Sequence, residues 1–274
     1  MSVKPIKLNS MVGARWGEKG TLPIPVGPTY QEIILETNAA AEDLERVSIT
    51  LNTDEIYVLT GSELLMLERY KRQDHTAGIF VIPFADVSAR TKNGVRYTAL
   101  VTELGDAIHL DVQFKQKAAD VDPLTIQVWA HVTNAQAARV IVPRMKRQTM
   151  PANAQGENEY ASLISSPALS VRRMHFMHND IQKLKIERDF TKEYEASKLI
   201  SEANTKRNKR TPQAGYFHFD PTVRGFSIDE LFPTVHNSNL TFTVTTGDVP
   251  GSIPILIESV EVVRPDLLYP QSKK

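Results

Sequence analysis

Apolar and polar residues alternate along several short stretches of the chain. Ile108, Leu110, Val112 and Phe114 alternate with His109, Asp111 and Gln113, the period-two signature of a strand buried on one face. Leu124, Ile126, Val128, Ala130 and Val132 repeat the pattern against Thr125, Gln127, Trp129 and His131. Leu240, Phe242 and Val244 do so again, with threonines on the other face. Ile253–Val263 is a β-branched run in which Pro254 predicts an early or edge position. Ile79–Phe84 is apolar on both faces and predicts a strand covered on both sides. Short strands punctuated by Gly, Pro, Asn and Asp predict a mainly β chain built as sandwiches or barrels.

Helices are few. Thr60 and Glu63 form a capping box ahead of Leu64, Leu65 and Leu67, and Ser227 with Glu230 predicts a second, short one through Leu231 and Phe232. Ala196, Leu199, Ile200 and Ala203 fall at i, i+3, i+4, i+7 and predict a helix whose apolar face packs onto a sheet. These helices are too short and scattered for a parallel α/β fold.

Residues 144–167 lack periodicity and hold Pro151, Asn153, Gly156, Asn158 and Pro167, which predicts a linker between equal halves. The halves repeat each other. A shift of 137 places Ala77-Gly78-Ile79-Phe80 on Ala214-Gly215-Tyr216-Phe217, Ile49 on Ile186 and Tyr57 on Tyr194. The same shift sets the helix near Ser62 on the helix around Leu199. A shift larger by four sets Ile33–Asn38 over Met174–Asn179. Two β domains of one design in tandem result: an arm over 1–20, a first domain over 21–143, the linker over 144–167 and a second domain over 168–274.

Composition narrows the chemistry. The 274 residues contain no cysteine, which excludes disulfides, thiolate metal sites and cysteine nucleophiles. Basic and acidic residues balance at 32 each, so global charge does not mark a polyanion binder. No apolar run approaches the roughly 18 residues of a membrane span. Met1–Ser10 lacks the apolar segment of a secretory signal, which predicts a soluble protein made in a cytoplasm. The formal sequon Asn239-Leu240-Thr241 carries no weight without secretion.

No catalytic motif appears. His175 and His178, three apart in a predicted strand, point to opposite faces and do not share a metal. His218 and Asp220 share a face and read as a satisfied surface pair ahead of a catalytic dyad. Asp120 with Asp122, and Asp54 with Glu55, offer oxygens to a hard cation but lack calcium-loop spacing and read as solvated turns. Gly13, Gly17 and Gly20 around Trp16 form turns, not a phosphate loop. Charge is uneven: residues 144–210 carry 14 Lys and Arg against 8 Asp and Glu. The cluster Lys206, Arg207, Lys209, Arg210 reads as a helix end or a seam between subunits, because interleaved aromatics for single-stranded nucleic acid are missing.

The N-terminal residues carry a resemblance. Leu8-Asn9-Ser10, a loop, and then Leu22-Pro23-Ile24-Pro25-Val26-Gly27-Pro28-Thr29-Tyr30 leading into Glu32-Ile33-Ile34-Leu35 resemble the start of corticovirus-type major capsid proteins. Val47-Ser48-Ile49 is similar to that family's second strand, and Arg172-Arg173 resembles the basic pair opening its second domain. The tail Arg264–Lys274 has no counterpart.

The resemblance implies an all-β double jelly roll, two eight-stranded sandwiches with short inserted helices. It also implies a structural, non-enzymatic role: a homotrimer forming a pseudo-hexagonal capsomer of an icosahedral shell, over an internal lipid membrane enclosing double-stranded DNA. The implied partners are copies of the chain, a vertex penton protein and the membrane, with no direct nucleic-acid contact. No cofactor is required, and a structural calcium is compatible with no ligand residues assigned. Two readings compete. A glycan-cleaving double sandwich predicts a cleft with paired acids; a carbohydrate- or receptor-binding module predicts exposed aromatic platforms, for which Trp16 and Trp129 are the tryptophans available.

Overall fold

A computed structural model describes residues 2–71, 75–118 and 121–268. The first half contains β1 (Lys4–Lys7), β2 (Lys19–Pro23), β3 (Thr29–Thr37), β4 (Leu44–Leu51), β5 (Asp54–Leu59), α1 (Gly61–Tyr70), β6 (Ile79–Pro83), α2 (Lys92–Thr98), β7 (Leu100–Val101), β8 (Ile108–Phe114) and β9 (Ile126–Thr133). The second contains β10 (Ile141–Ala152), β11 (Gly156–Tyr160), β12 (Leu169–Met177), β13 (Ile181–Arg188), β14 (Thr191–Ser197), α3 (Lys198–Arg207), β15 (Tyr216–Phe219), β16 (Phe232–Pro233), β17 (Leu240–Thr246) and β18 (Gly251–Val262), followed by the short α4 (Pro265–Leu268). No helix among the described residues is long and apolar enough to cross a membrane.

Each half is a jelly roll with one pairing scheme. In the first, β1-β9-β3-β6 faces β2-β8-β4-β5; in the second, β10-β18-β12-β15 faces β11-β17-β13-β14. The correspondence extends to irregularities. The bulge that skips Gln31 between β3 and β9 recurs at Arg172 between β12 and β18, and the one at Ile56 in the β4–β5 hairpin recurs at Glu193 in β13–β14. These bulges match the shifts of 141 and 137 read from the sequence. The repeated Ala-Gly has a backbone cause: Gly78 and Gly215 open β6 and β15 with φ of 79° and 82°, a region that favours glycine.

The halves fuse through a parallel contact of Tyr57 on β5 with Met145 on β10, which makes a nine-stranded sheet running through both sandwiches. The first core takes in Val142, Met145 and Leu256 from the second half, while Phe176, Ile186, Phe217 and Phe242 centre the second core.

Several expectations are corrected. The stretch 144–167 is no plain linker, because it contains most of β10 and all of β11. Met145 packs into the first core and Met150 with Ala152 into the second, so one strand serving two cores shows no single alternation. The arm over 1–20 is not separate: β1 extends one sheet along β9, β2 extends the other along β8, and Leu8 is buried. Ser227 and Glu230 do not cap a helix; Ser227 is buried against Asp86 and Glu230 meets Arg224. The apolar residues of α3 do not pack on a sheet: Leu199, Ile200 and Ala203 are exposed, and the helix buries Ser201 and Thr205. Ile79 and Val81 on the outer face of β6 are only half-buried. Pro254 sits in a central strand, one residue beyond the last β12-paired position, Ile255, so its surroundings are locally an edge. Of the acidic pairs, Asp54 binds Arg144 and Lys146, and Asp120 lies outside the described residues.

Candidate functional site

The densest constellation of titratable groups lies at the junction of the two jelly rolls. Strand β12 supplies Arg172 and Arg173, both buried. Consecutive strand residues ordinarily face opposite ways; the bulge at Arg172 interrupts that alternation at this pair. Arg173 Nη2 donates to Asp86 Oδ2 at 2.8 Å, Nε to Asp220 Oδ2 at 2.8 Å and Nη1 to Glu258 Oε2 at 3.1 Å. Asp86 belongs to the first domain, in the loop after β6; Asp220 and Glu258 belong to the second.

The carboxylates find further donors, while the Nε groups of Arg172 and Arg210 stay without a hydrogen-bond partner among the described residues. Ser227 Oγ donates to Asp86 at 2.8 Å, Tyr70 Oη to Asp220 at 2.9 Å, and Thr222 Oγ1 to Asp220 at 2.9 Å. Arg172 Nη2 reaches the Phe84 carbonyl at 3.4 Å, and Arg210 at the rim donates to Ser88 at 2.6 Å. Burial alone would raise the Asp86 and Glu258 carboxyls, but Arg173 beside them, with Lys71, holds both well below the usual carboxylate range. Burial pushes the Lys71 ammonium down to about 8.

A histidine relay completes the cluster. The Gln213 amide donates to His218 Nε2 at 3.1 Å, so that nitrogen carries no proton. The His218 proton is therefore on Nδ1, donated to His175 Nδ1 at 2.7 Å, and His175 donates from Nε2 to Glu258 Oε1 at 3.0 Å. Tyr70 covers both rings, with centroids 4.5 Å from His218 and 5.4 Å from His175. Burial, and then the neighbouring His175, hold His218 well below the usual histidine range, so this imidazole is neutral.

This geometry orients two domains. Every strong acceptor here is already engaged by a guanidinium, a hydroxyl or an imidazole. His218 and Asp220 face one network but are buried and bind different partners, which corrects their reading as a surface pair. His175 and His178 are apart, the latter exposed to Asp248 at 2.8 Å. The carboxylates that line surface clefts are engaged too: Glu261 with Arg144, Glu193 with Arg188, Glu202 with Lys206, Glu36 with the Trp129 indole, and Asp220 as above. Among the described residues no group of three or more His, Asp or Glu could hold a metal ion. The Arg172-Arg173 pair was visible in the sequence; Asp86, Glu258 and Tyr70 were not, because their roles arise only when distant strands converge.

Comparison with known proteins agrees with this reading. Two family profiles match in order: viral coat protein P2 N-terminal domain over residues 5–133, and viral coat protein P2 C-terminal domain over residues 142–263. No curated protein sequence matches significantly. Among solved structures the chain is similar to the major capsid protein P2 of bacteriophage PM2, with TM-score 0.86, 15% identity and coverage of 95% of this chain and 98% of that one. It is also similar to the major capsid protein of Sulfolobus turreted icosahedral virus, with TM-score 0.72, 11% identity and coverage of 98% and 100%. A PBCV-1 capsid chain follows at 0.62, 9% identity and coverage of 96% and 95%. A double jelly roll whose buried polar residues lock its halves together, matched along both halves, belongs to the viral coat protein P2 family: it is a structural protein of a virus capsid, not an enzyme.

Proposed function

We propose that this chain is the major capsid protein of an icosahedral virion, closing in threes into capsomers with a six-lobed, pseudo-hexagonal outline. The shell covers a lipid membrane that encloses double-stranded DNA, a separate protein fills the vertices, and this chain meets its own copies, that vertex protein and the membrane without touching the nucleic acid. The chain is made in the host cytoplasm. The observation that supports this most is the duplication itself. Two jelly rolls with the same pairing scheme are held at one fixed angle by the Arg173 network and the β5–β10 contact. One chain therefore presents two equivalent sides of a polygon, and a heterologous contact repeated three times closes it.

Among the described residues no group of three or more His, Asp or Glu could hold a metal ion, so on this reading any structural cation lies between copies. Light scattering on the purified protein, with and without a chelator, is the test. A mass three times 30.7 kDa is expected, and dissociation by the chelator would place a cation between chains. A monomer at high concentration contradicts the proposal.

A further inference from the structure

The contact between the two domains of one chain has an unfilled counterpart. On the second domain, the outer face of β10-β18-β12-β15 carries Arg173, His175, His218 and Leu256, all buried beneath the end of α1 and the loop after β6. The shared bulges fix the equivalent positions on the first domain's sheet as Glu32, Ile34, Val81 and Trp129. Even the cross-strand ion pair recurs, as His131 Nδ1 to Glu32 Oε1 at 2.5 Å in place of Arg173 to Glu258. Yet these four residues are only half-buried.

The helix equivalent to α1 is α3, and it is built to cover such a face. Leu199 and Ile200 are 76% and 60% exposed, and Ile200 occupies the place of Glu63, which on α1 reaches across the junction to Arg147 at 2.6 Å. Arg207 occupies the place of Tyr70. We infer that α3 of one copy docks on the outer face of β1-β9-β3-β6 of a second copy, with strand β14 of the first alongside β1 of the second, as α1 and β5 dock on the second domain within one chain. The inference rests on the trimeric reading above and names the surfaces that make it.

Charge agrees on both elements. The helix end brings Lys206 and Arg207 toward a face holding Glu32 and Glu36. The Glu68 carboxyl is raised by its burial, lowered in part by His75 at 3.5 Å and raised further by the charge of Glu32, so negative charge gathers beside this face. At the edges, Lys4 and Lys7 of β1 stand where Arg144 and Arg147 stand on β10, the residues that bind Asp54 and Glu63. The facing β14 carries Glu193 and Glu195. The six domains then meet through one kind of contact, made three times within chains and three times between them.

The chain's lack of cysteine makes the test clean. Within the chain the Tyr70 and His218 ring centroids lie 4.5 Å apart; the equivalent pair between copies is Arg207 with Val81. A variant carrying R207C and V81C, treated with a short bismaleimide, is expected to give covalent dimers and trimers and nothing larger, while each single variant gives only monomer on a denaturing gel. Trimers by light scattering that do not cross-link overturn these surfaces and leave the trimer standing. A protein that is monomeric before cross-linking overturns both.

Discussion

Arg173 is the residue on which the junction turns. It is fully buried and touches three carboxylates from three separate segments, so removing it strips all three of their main countercharge in a buried site and leaves only Arg172 and Lys71 as nearby cations. Breaking a buried pair from one side costs about 3–5 kcal/mol. Arg173→Met is expected to lower the urea-unfolding free energy by about that amount; a loss under about 1 kcal/mol would show the network to be incidental. Acid should act through the same cluster. His218 is held below its ordinary value of 6.5, so the unfolded chain takes up its proton first as pH falls through 6.5, and stability present above that pH is lost. Asp86 and Glu258, held low, add a second loss as pH falls below the ordinary carboxylate values of 3.8 and 4.5. Unfolding free energy is therefore expected to decline from pH 6.5 downward in two stages, and His218→Gln to abolish the first. A flat profile between pH 7 and 5 would contradict a neutral, buried His218. Sequence reading reached Arg172-Arg173 and the His218–Asp220 spacing, but not that they meet, since the partners that join them lie 43 to 150 positions away.

Among elements, the strands with a regular alternation or a β-branched run were legible, and a strand shared between two cores was not. Strand β8 spans Ile108–Phe114, the alternating stretch itself, whereas β10, shared between two cores and bearing Arg144, Lys146 and Arg147 for the neighbouring domain, read as a loop. Helix α2 left no apolar stripe to find, as KNGVRYT buries only Gly94 and Thr98. The capping box of α1 was legible and is present: the Glu63 amide donates to Thr60 Oγ1 at 3.3 Å and the Thr60 amide to Glu63 Oε2 at 2.8 Å. Thr60→Ala should cost about 1 kcal/mol, measurable by thermal or urea unfolding. The periodicity of α3 was also legible, but which side it buries was not, because an apolar stripe meant for another copy looks the same as one meant for the core. Replacing Leu199 and Ile200 with Asp together should leave single-chain stability within about 0.5 kcal/mol, the range of surface changes. It should also weaken trimer formation at least tenfold in sedimentation. Loss of fold instead would show that this face packs within the chain.

At the scale of the whole molecule, the repeat read from a handful of matched residues is the architecture, down to its bulges. The terminal and central segments differ from that first reading because strand pairing is non-local. Residues 4–7 and 19–23 show no pattern of their own, yet each completes a sheet by pairing with a strand about a hundred positions on. Deleting residues 1–20 should therefore destabilise the first jelly roll itself, exposing the edge of β9 and cutting β2 short on β8, and not merely impair assembly; an unchanged melting transition would contradict this. The central claim is that one chain supplies two equivalent lobes of a closed six-lobed ring. Cryo-electron microscopy of the assembled protein tests it most directly. The account predicts three chains around a threefold axis, with six jelly rolls in a pseudo-hexagonal outline and α3 of each chain against the next. A ring of any other number of chains, or chains joined through some other face, would contradict it.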